Sequence, residues 1–323
     1  MTLVTLDDLR DAQKRVAGAV VRTPLMPCPW AEQDGRTLHL KPENLQPTGA
    51  FKIRGAVNRL SVLTEDERAR GVVAQSSGNH AQAVAYAARA MGVKAVIVMP
   101  DTSPAVKVDN TRSFGAEVVL VPMNERDTTP ADLAAEHGYV WVPPYDDPWI
   151  IAGQGTVGLE LADDATALDL DLRTVLVPVS GGGLIGGVAA ALKLTMPGVR
   201  VIGVEPELAG DAAESFRTGV RQVWPFEQTH RTIADGLRTN SLGLLPWEHV
   251  QAYVDDIITV TEDEIRATVA VLARRARIVA EPAGAVATAA YLHHADELPQ
   301  GRSVAAVVSG GNVEPSLLGE LLA

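Results

Sequence analysis

Short apolar runs alternate along this chain with segments whose apolar positions recur at helical spacing. Val72 to Gln75 reads as a strand, an alanine-rich stretch from about Ala81 to Met91 as a helix stopped by Gly92, and Lys94 to Met99 as the next strand. A helix near Ser103 to Phe114 ends at Gly115, and Glu117 to Val121 resumes the sheet. A shorter helix near Ala131 to His137 ends at Gly138, before Tyr139 to Val142. The pattern restarts with Thr174 to Val179, a glycine loop, a helix to about Leu194 and the strand Arg200 to Val204. Thr261-Glu-Asp-Glu264 has the spacing of a capping box, in which hydroxyl and carboxylate each satisfy a free backbone N–H, and it opens a helix to about Arg277. The last strand, Ser303 to Val308, runs into Ser309-Gly-Gly-Asn312. Such alternation predicts parallel βα units in an α/β fold. No internal repeat or low-complexity linker separates the halves, so interleaved domains are expected.

At 323 residues and 34.2 kDa, the chain has room for two domains or one large α/β unit. A net charge of −12 with no local basic patch repels phosphate backbones and anionic headgroups, so neither nucleic acid nor a membrane surface is expected as a partner. Val175 to Leu192 carries 18 residues without a charge, close to a membrane span, yet Pro178 and five glycines make a strand, a loop and a helix start the better reading. Cys28 is the single cysteine, which removes disulfide frameworks and zinc sites needing two thiolates and points to a reducing cytosol. Two aspartates stand where a signal peptide needs a basic region, so export is not expected.

Four segments carry candidate chemistry. Val179 to Gly187 is a glycine-rich turn between a buried strand and a helix, where consecutive N–H groups and the positive helix end suit a phosphate. Gly181, Gly183 and Gly186 also satisfy the dinucleotide spacing, with Glu205 where a ribose-binding acid would stand, so a nicotinamide cofactor is an alternative at this point. Of the six lysines, most lie in polar or helix-surface settings, but Lys52 sits among Gly49, Ala50, Phe51, Ile53 and Gly55. Such neighbours desolvate an amine and favour its neutral form, which adds to an aldehyde and later serves as a base. The bland reading of Lys52 is a structural lysine on an amphipathic helix. Ser76-Ser-Gly-Asn-His80 offers hydroxyls, an amide and N–H groups to a carboxylate, or simply an N-cap at Ser77. Ser309-Gly-Gly-Asn312 is a further strand end, and together these imply one cleft at the carboxyl edge of a sheet.

Taken in order, these segments resemble the fold-type II pyridoxal phosphate enzymes, and within them the serine/threonine dehydratase and serine racemase family. The resemblance covers nearly the whole chain. It is carried by Pro42-Glu-Asn-Leu45, Phe51-Lys-Ile-Arg-Gly-Ala56, Ser76-Ser-Gly-Asn-His80, Ile151-Ala-Gly-Gln-Gly-Thr156, Pro178-Val-Ser-Gly-Gly-Gly183, Thr232-Ile-Ala-Asp-Gly236, Glu281-Pro-Ala-Gly284 and Ser309-Gly-Gly-Asn312. It implies a tryptophan synthase β-like fold of two three-layer α/β domains with the cofactor in the cleft between them. Residues 1–61 and 150–323 would form the large cofactor-binding domain and 62–149 the small one. By this likeness Lys52 binds the aldehyde of pyridoxal 5′-phosphate, Phe51 packs on its ring, Asn79 bonds the ring hydroxyl, Ser180, Gly181, Gly182, Gly183 and Leu184 hold the phosphate, and Ser309 faces the ring nitrogen. A neutral serine there leaves that nitrogen unprotonated and favours loss of a β-leaving group over a long-lived carbanion. Ser76, Ser77, Gly78, Asn79 and His80 would bind the substrate carboxylate. The activity implied is β-elimination from small β-hydroxy amino acids such as L-serine and L-threonine, giving a 2-oxo acid and ammonia, in a homodimer.

Two details separate family members. Dedicated threonine dehydratases resemble Ser-Ala-Gly-Asn-His at the substrate turn, whereas this chain has Ser77 in second place, as racemases and hydroxyaspartate dehydratases do. There the serine exchanges a proton on the face opposite the lysine, which opens serine racemisation or threo-3-hydroxyaspartate dehydration as the alternative activity. Glu205 to Asp211 matches the divalent-cation site of the racemase-like members, with the two carboxylates and the Ala209 carbonyl as ligands for Mg²⁺, Ca²⁺ or Mn²⁺. An acid committed to a metal cannot easily serve a ribose, which weakens the nicotinamide alternative. Ala50 and Ser180 depart from the racemase pattern, both with small residues. Tyr145 and Asp146-Asp-Pro148 lie where selectivity is expected to be set, and no carboxy-terminal regulatory domain is expected after Asn312.

Overall fold

The structure, a computed structural model, describes residues 2–33, 35–103, 105–126, 128–299 and 301–323. Among the described residues ten strands form two sheets. β1 (Met26–Pro27), β2 (Thr37–Pro42), β7 (Leu172–Pro178), β8 (Arg200–Pro206), β9 (Asp256–Val260) and β10 (Ser303–Val308) make the larger one, in the order β1-β2-β10-β7-β8-β9. β3 (Val72–Gln75), β4 (Ala95–Pro100), β5 (Glu117–Val121) and β6 (Val140–Trp141) make the smaller, in the order β5-β4-β3-β6. Every pairing is parallel except β1 with β2. Parallel strands need a crossover to return, and helices cover their faces, which is why β4 and β10 are buried at every position.

The expected elements are present with shifted ends. The helix expected near Ser103 to Phe114 is Ala105–Ser113, Pro104 lying outside the described residues. Thr261 and Glu264 form the capping box, but the α-helix they open stops at Val271 and continues as a π turn, Leu272–Ala276. Arg277 then takes a left-handed φ of 62° and ends it. The charge-free stretch from Val175 divides into β7 and the Gly183–Thr195 helix, and no helix among the described residues is long and apolar enough to cross a membrane.

One polar cluster joins the sheet to two helices. Arg54, on the Lys52–Ser61 helix, donates from Nε to Glu43 Oε2 at 2.7 Å and from Nη1 to Glu160 Oε1 at 2.7 Å; Glu160 belongs to the Pro148–Ala167 helix. Lys41 at the end of β2 donates to Glu160 Oε2 at 2.7 Å and to the Thr23 carbonyl at 2.6 Å. Lys41 is buried, and burial lowers its pKa while Glu160 and Glu43 pull it back up. Burial would raise Glu43, but Arg54 outweighs it and holds the carboxyl below its usual range. Removing one partner of such a cluster strands its counter-charges away from water. We expect Arg54→Met to lose about 3–5 kcal/mol of unfolding free energy, read from urea denaturation. A loss below about 1 kcal/mol would mean the cluster is open to water.

Candidate active site

Lys52 opens its helix directly after Phe51, and both are tied to the end of β10. Phe51 N donates to the Ser309 carbonyl at 3.0 Å, and Ala50 bridges to Gly310. Lys52 Nζ donates to the Pro144 carbonyl at 2.7 Å and lies 5.2 Å from the Phe51 ring centroid. Neither partner carries a negative charge. Burial therefore pushes the ammonium down to about 8.

The substrate turn follows β3 and precedes the Asn79–Ala90 helix. The simple capping reading of Ser77 fails, because the N-cap position falls on Gly78 and no side chain caps the helix. Ser76 Oγ accepts from Gly78 N at 3.1 Å. His80 is buried, and burial followed by the charge of Lys52 pushes its pKa down to about 3. Its Nε2 lies 2.9 Å from the Val142 carbonyl, so that nitrogen carries the hydrogen and the ring offers a carboxylate no donor. Nδ1 has no partner among the described residues. Apart from the Asn79 amide, only the backbone and the hydroxyls of the turn are left for an anion.

Asn79 is fully oriented. Its Nδ2 donates to Glu281 Oε1 at 2.7 Å, and its Oδ1 accepts from Asn312 Nδ2 at 2.8 Å, which leaves one amide hydrogen uncommitted. Glu281 is pushed up to about 8 by burial and then by Asp235. The sequence reading quoted Glu281 and Asn312 within motifs but gave neither a role; their partner stands 202 and 233 positions away, and no local pattern announces that. Ser309 is buried and donates to the Ala283 carbonyl at 3.4 Å.

After β7 the chain turns through Ser180, Gly181 and Gly182 into the Gly183–Thr195 helix, which buries Leu184. Gly182 takes φ +89°, a conformation costly for other residues, and Ser180 Oγ lies 2.7 Å from Thr239 Oγ1. A glycine-rich turn leading into a helix start is an arrangement that suits an anion.

Glu205, at the end of β8, and Asp211, at the start of the Asp211–Thr218 helix, are both buried, with buried Ala209 between them in the chain. Glu205 Oε2 accepts from Ala213 N at 2.8 Å, and Asp211 Oδ2 has no partner among the described residues. Burial, then the neighbouring Asp211 carboxylate, raises Glu205 well above its usual range, and burial raises Asp211 to about 7. No cluster of three or more His, Cys, Asp or Glu occurs among the described residues, so a cation here would need backbone or water ligands as well.

Parallel strand ends, a glycine-rich turn at a helix start and a desolvated lysine near the Ser76 to His80 turn suit an enzyme of aldehyde-cofactor chemistry. The chain belongs to the family described as pyridoxal-phosphate dependent enzyme, which matches residues 16–310. It is 42% identical over 323 residues to the L-threonine ammonia-lyase of Thermotoga maritima, covering 99% of this chain and 78% of that one. It is 40% identical over 318 residues to the L-threo-3-hydroxyaspartate ammonia-lyase of Saccharomyces cerevisiae, covering 97% and 95%. The solved maize serine racemase superposes with a TM-score of 0.92 at 37% identity, over 99% of this chain and 97% of that one. The fold is therefore fold-type II, and the cofactor is pyridoxal phosphate. The residues present fit it: a glycine-rich turn at a helix start suits a phosphate, and a half-buried lysine whose pKa burial lowers suits an aldehyde. The nicotinamide alternative falls, and Glu205 is committed to Ala213 N beside Asp211.

An amine titrating near 8 is about a quarter neutral at pH 7.5, against about one part in a thousand for an ordinary lysine. Stopped-flow capture of pyridoxal phosphate by cofactor-stripped protein should quicken with pH and level off a little above 8; a rise continuing past 10 would refute the desolvated amine.

Proposed function

We propose that this chain is an ammonia-lyase acting on small β-hydroxy amino acids, L-threonine and L-serine first, with net release of ammonia and a 2-oxo acid. The observation that carries this reading is the neutral-leaning Lys52 amine, held beside both a phosphate cradle and a carboxylate turn. Lyase relatives at 40% and 42% identity support it. Bound pyridoxal phosphate supplies an aldehyde for the substrate amine and an electron-withdrawing ring that acidifies the α-hydrogen. Ser180 to Leu184 hold its phosphate through backbone N–H groups, Phe51 packs on the ring, the uncommitted amide hydrogen of Asn79 faces the ring hydroxyl, and Ser309 faces the ring nitrogen. Lys52 anchors the aldehyde and, once released as the neutral amine, takes the α-proton. The backbone and hydroxyls of Ser76 to His80 orient the carboxylate so that this proton faces Lys52. Residues 62–149, carrying the smaller sheet, act as the substrate-turn domain against the large domain of 1–61 and 150–323.

Ser77 favours a second activity. A hydroxyl on the face opposite Lys52 can return or remove a proton there, which gives racemisation or elimination from the opposite enantiomer. A panel of L- and D-serine, L-threonine and threo-3-hydroxyaspartate, assayed for 2-oxo acid and for inverted product, should show L-elimination dominant. Ser77→Ala should abolish inversion and D-elimination and spare L-elimination. Equal loss of all activities counts against two-face chemistry.

The Glu205, Ala209 and Asp211 oxygens suit Mg²⁺, with Ca²⁺ or Mn²⁺ as substitutes. Raised carboxyl pKa values mean that the folded chain holds protons the unfolded chain has already lost. Without a cation, stability should therefore fall as pH rises through the window from about 4 to 7. Thermal melts after chelation should show this fall, and millimolar Mg²⁺ should restore the melting temperature at pH 8 but not at pH 5. Asp211→Asn should remove the Mg²⁺ effect and weaken the pH dependence, leaving the part that burial of Glu205 causes; a melt indifferent to chelator, metal and pH would discard the site. The homodimer and the cytosolic location belong to this reading too, the latter supported by the buried free thiol of Cys28.

A further inference from the structure

The phosphate loop is built of residues that cannot hold themselves in place. Ser180, Gly181, Gly182 and Gly183 carry one short side chain among them, and glycines lose the most conformational freedom when ordered. Something outside the loop must fill the space over it, and that is Tyr145. A Cβ on Gly181 would stand 2.2 Å from Tyr145 Cδ1 and 2.4 Å from Cγ, so the ring lies flush on the Gly181 backbone. A Cβ on Gly183 would meet Tyr145 Cβ at 2.9 Å. The loop's other flank is closed by Gly243, whose N donates to the Gly181 carbonyl at 3.0 Å.

Tyr145 is itself held from both sides along the chain. It belongs to the segment that leaves β6 and enters the Pro148–Ala167 helix, and each of four consecutive residues grips a different partner. The Pro144 carbonyl accepts from Lys52 Nζ at 2.7 Å. The Tyr145 ring covers the phosphate loop. The Asp146 carboxylate accepts from Leu244 N and Leu245 N, both at 2.9 Å, at the start of the Leu244–Tyr253 helix. Asp147 caps the Pro148–Ala167 helix through Trp149 N at 2.7 Å and Ile150 N at 2.9 Å, and accepts from Arg59 Nε at 3.2 Å. One strap thus touches the lysine and the phosphate cradle, the two points at which the cofactor is anchored.

We propose that Tyr145 is a positioning residue that clamps the phosphate loop in its receptive shape, so that the loop's N–H groups are aimed before phosphate arrives. A preordered anion site binds more tightly because less freedom is lost on binding. The proposal rests on the reading of Ser180 to Leu184 as the phosphate site, and the test separates the two. Full-length protein stripped of cofactor is titrated with pyridoxal phosphate and, separately, with pyridoxal, which keeps the aldehyde and lacks the phosphate. Binding is followed by the visible absorption of the lysine-bound chromophore. Wild type should bind the phosphate ester far more tightly; equal affinities would overturn the phosphate-loop reading and this proposal with it. Tyr145→Ala should weaken pyridoxal phosphate by at least about tenfold while changing pyridoxal by less than about twofold, and Tyr145→Phe, which keeps the ring, should stay within about threefold of wild type for both. Should the alanine variant be too unstable to purify, Tyr145→Leu carries the same comparison with more of the volume retained. Equal weakening of both ligands, or undiminished affinity for the phosphate ester, overturns the clamp.

Discussion

The chemistry of this molecule depends on how two desolvated lysines are partnered. Lys41 is buried and Lys52 half-buried, but Lys41 faces the Glu160 carboxylate while Lys52 faces the Pro144 carbonyl. A carboxylate repays part of the desolvation of a cation; a neutral carbonyl repays much less. One lysine is thereby kept as a charged brace, and the other is driven toward the free amine that cofactor chemistry requires. They stand only 11 positions apart, and Arg54, two residues beyond Lys52, is wired into the Lys41 cluster. The charged brace thus secures the helix that presents the uncharged amine.

Everything else converges on that amine through the parallel sheets. The carboxyl ends of β3, β7 and β10 lead into the substrate turn, the phosphate loop and the Ser309 strand end, because parallel strands deliver their exits to one edge. The carboxyl end of β8 leads instead to the buried Glu205 and Asp211 pair, whose carboxyl pKa values burial raises. Asn79, Glu281 and Asn312 form a hydrogen-bonded chain between the two sheets' contributions, and it settles which end of the Asn79 amide is committed.

What could be read in advance was local. Lys52 is legible because its sequence neighbours are themselves the desolvating surface, and the phosphate loop because glycine content and a following helix suffice to define a cradle. The burial of Lys41 was not legible, since Pro42, Glu43 and Asn44 give no local sign of it and its partner Glu160 stands 119 positions away. His80 looked like a substrate ligand by its place in the turn, yet its ring is spent on Val142. The helix after the Thr261 capping box kept its start, which side chains three residues apart decide, and lost its regular end to a π turn that no spacing marked. Tyr145 stood out only as lying near a selectivity loop; its packing on Gly181 needs the two chain segments to meet in space.

The strap from Pro144 to Asp147 has a consequence for how such a protein can diversify. Four successive residues answer to four separate anchors, with no slack between them. Adding or deleting a single residue would carry each grip to the wrong partner, taking the lysine acceptor, the loop cover and two helix starts out of register together. Ordinary surface loops tolerate changes of length; this strap is built to tolerate exchange of side chains far better than any change of length.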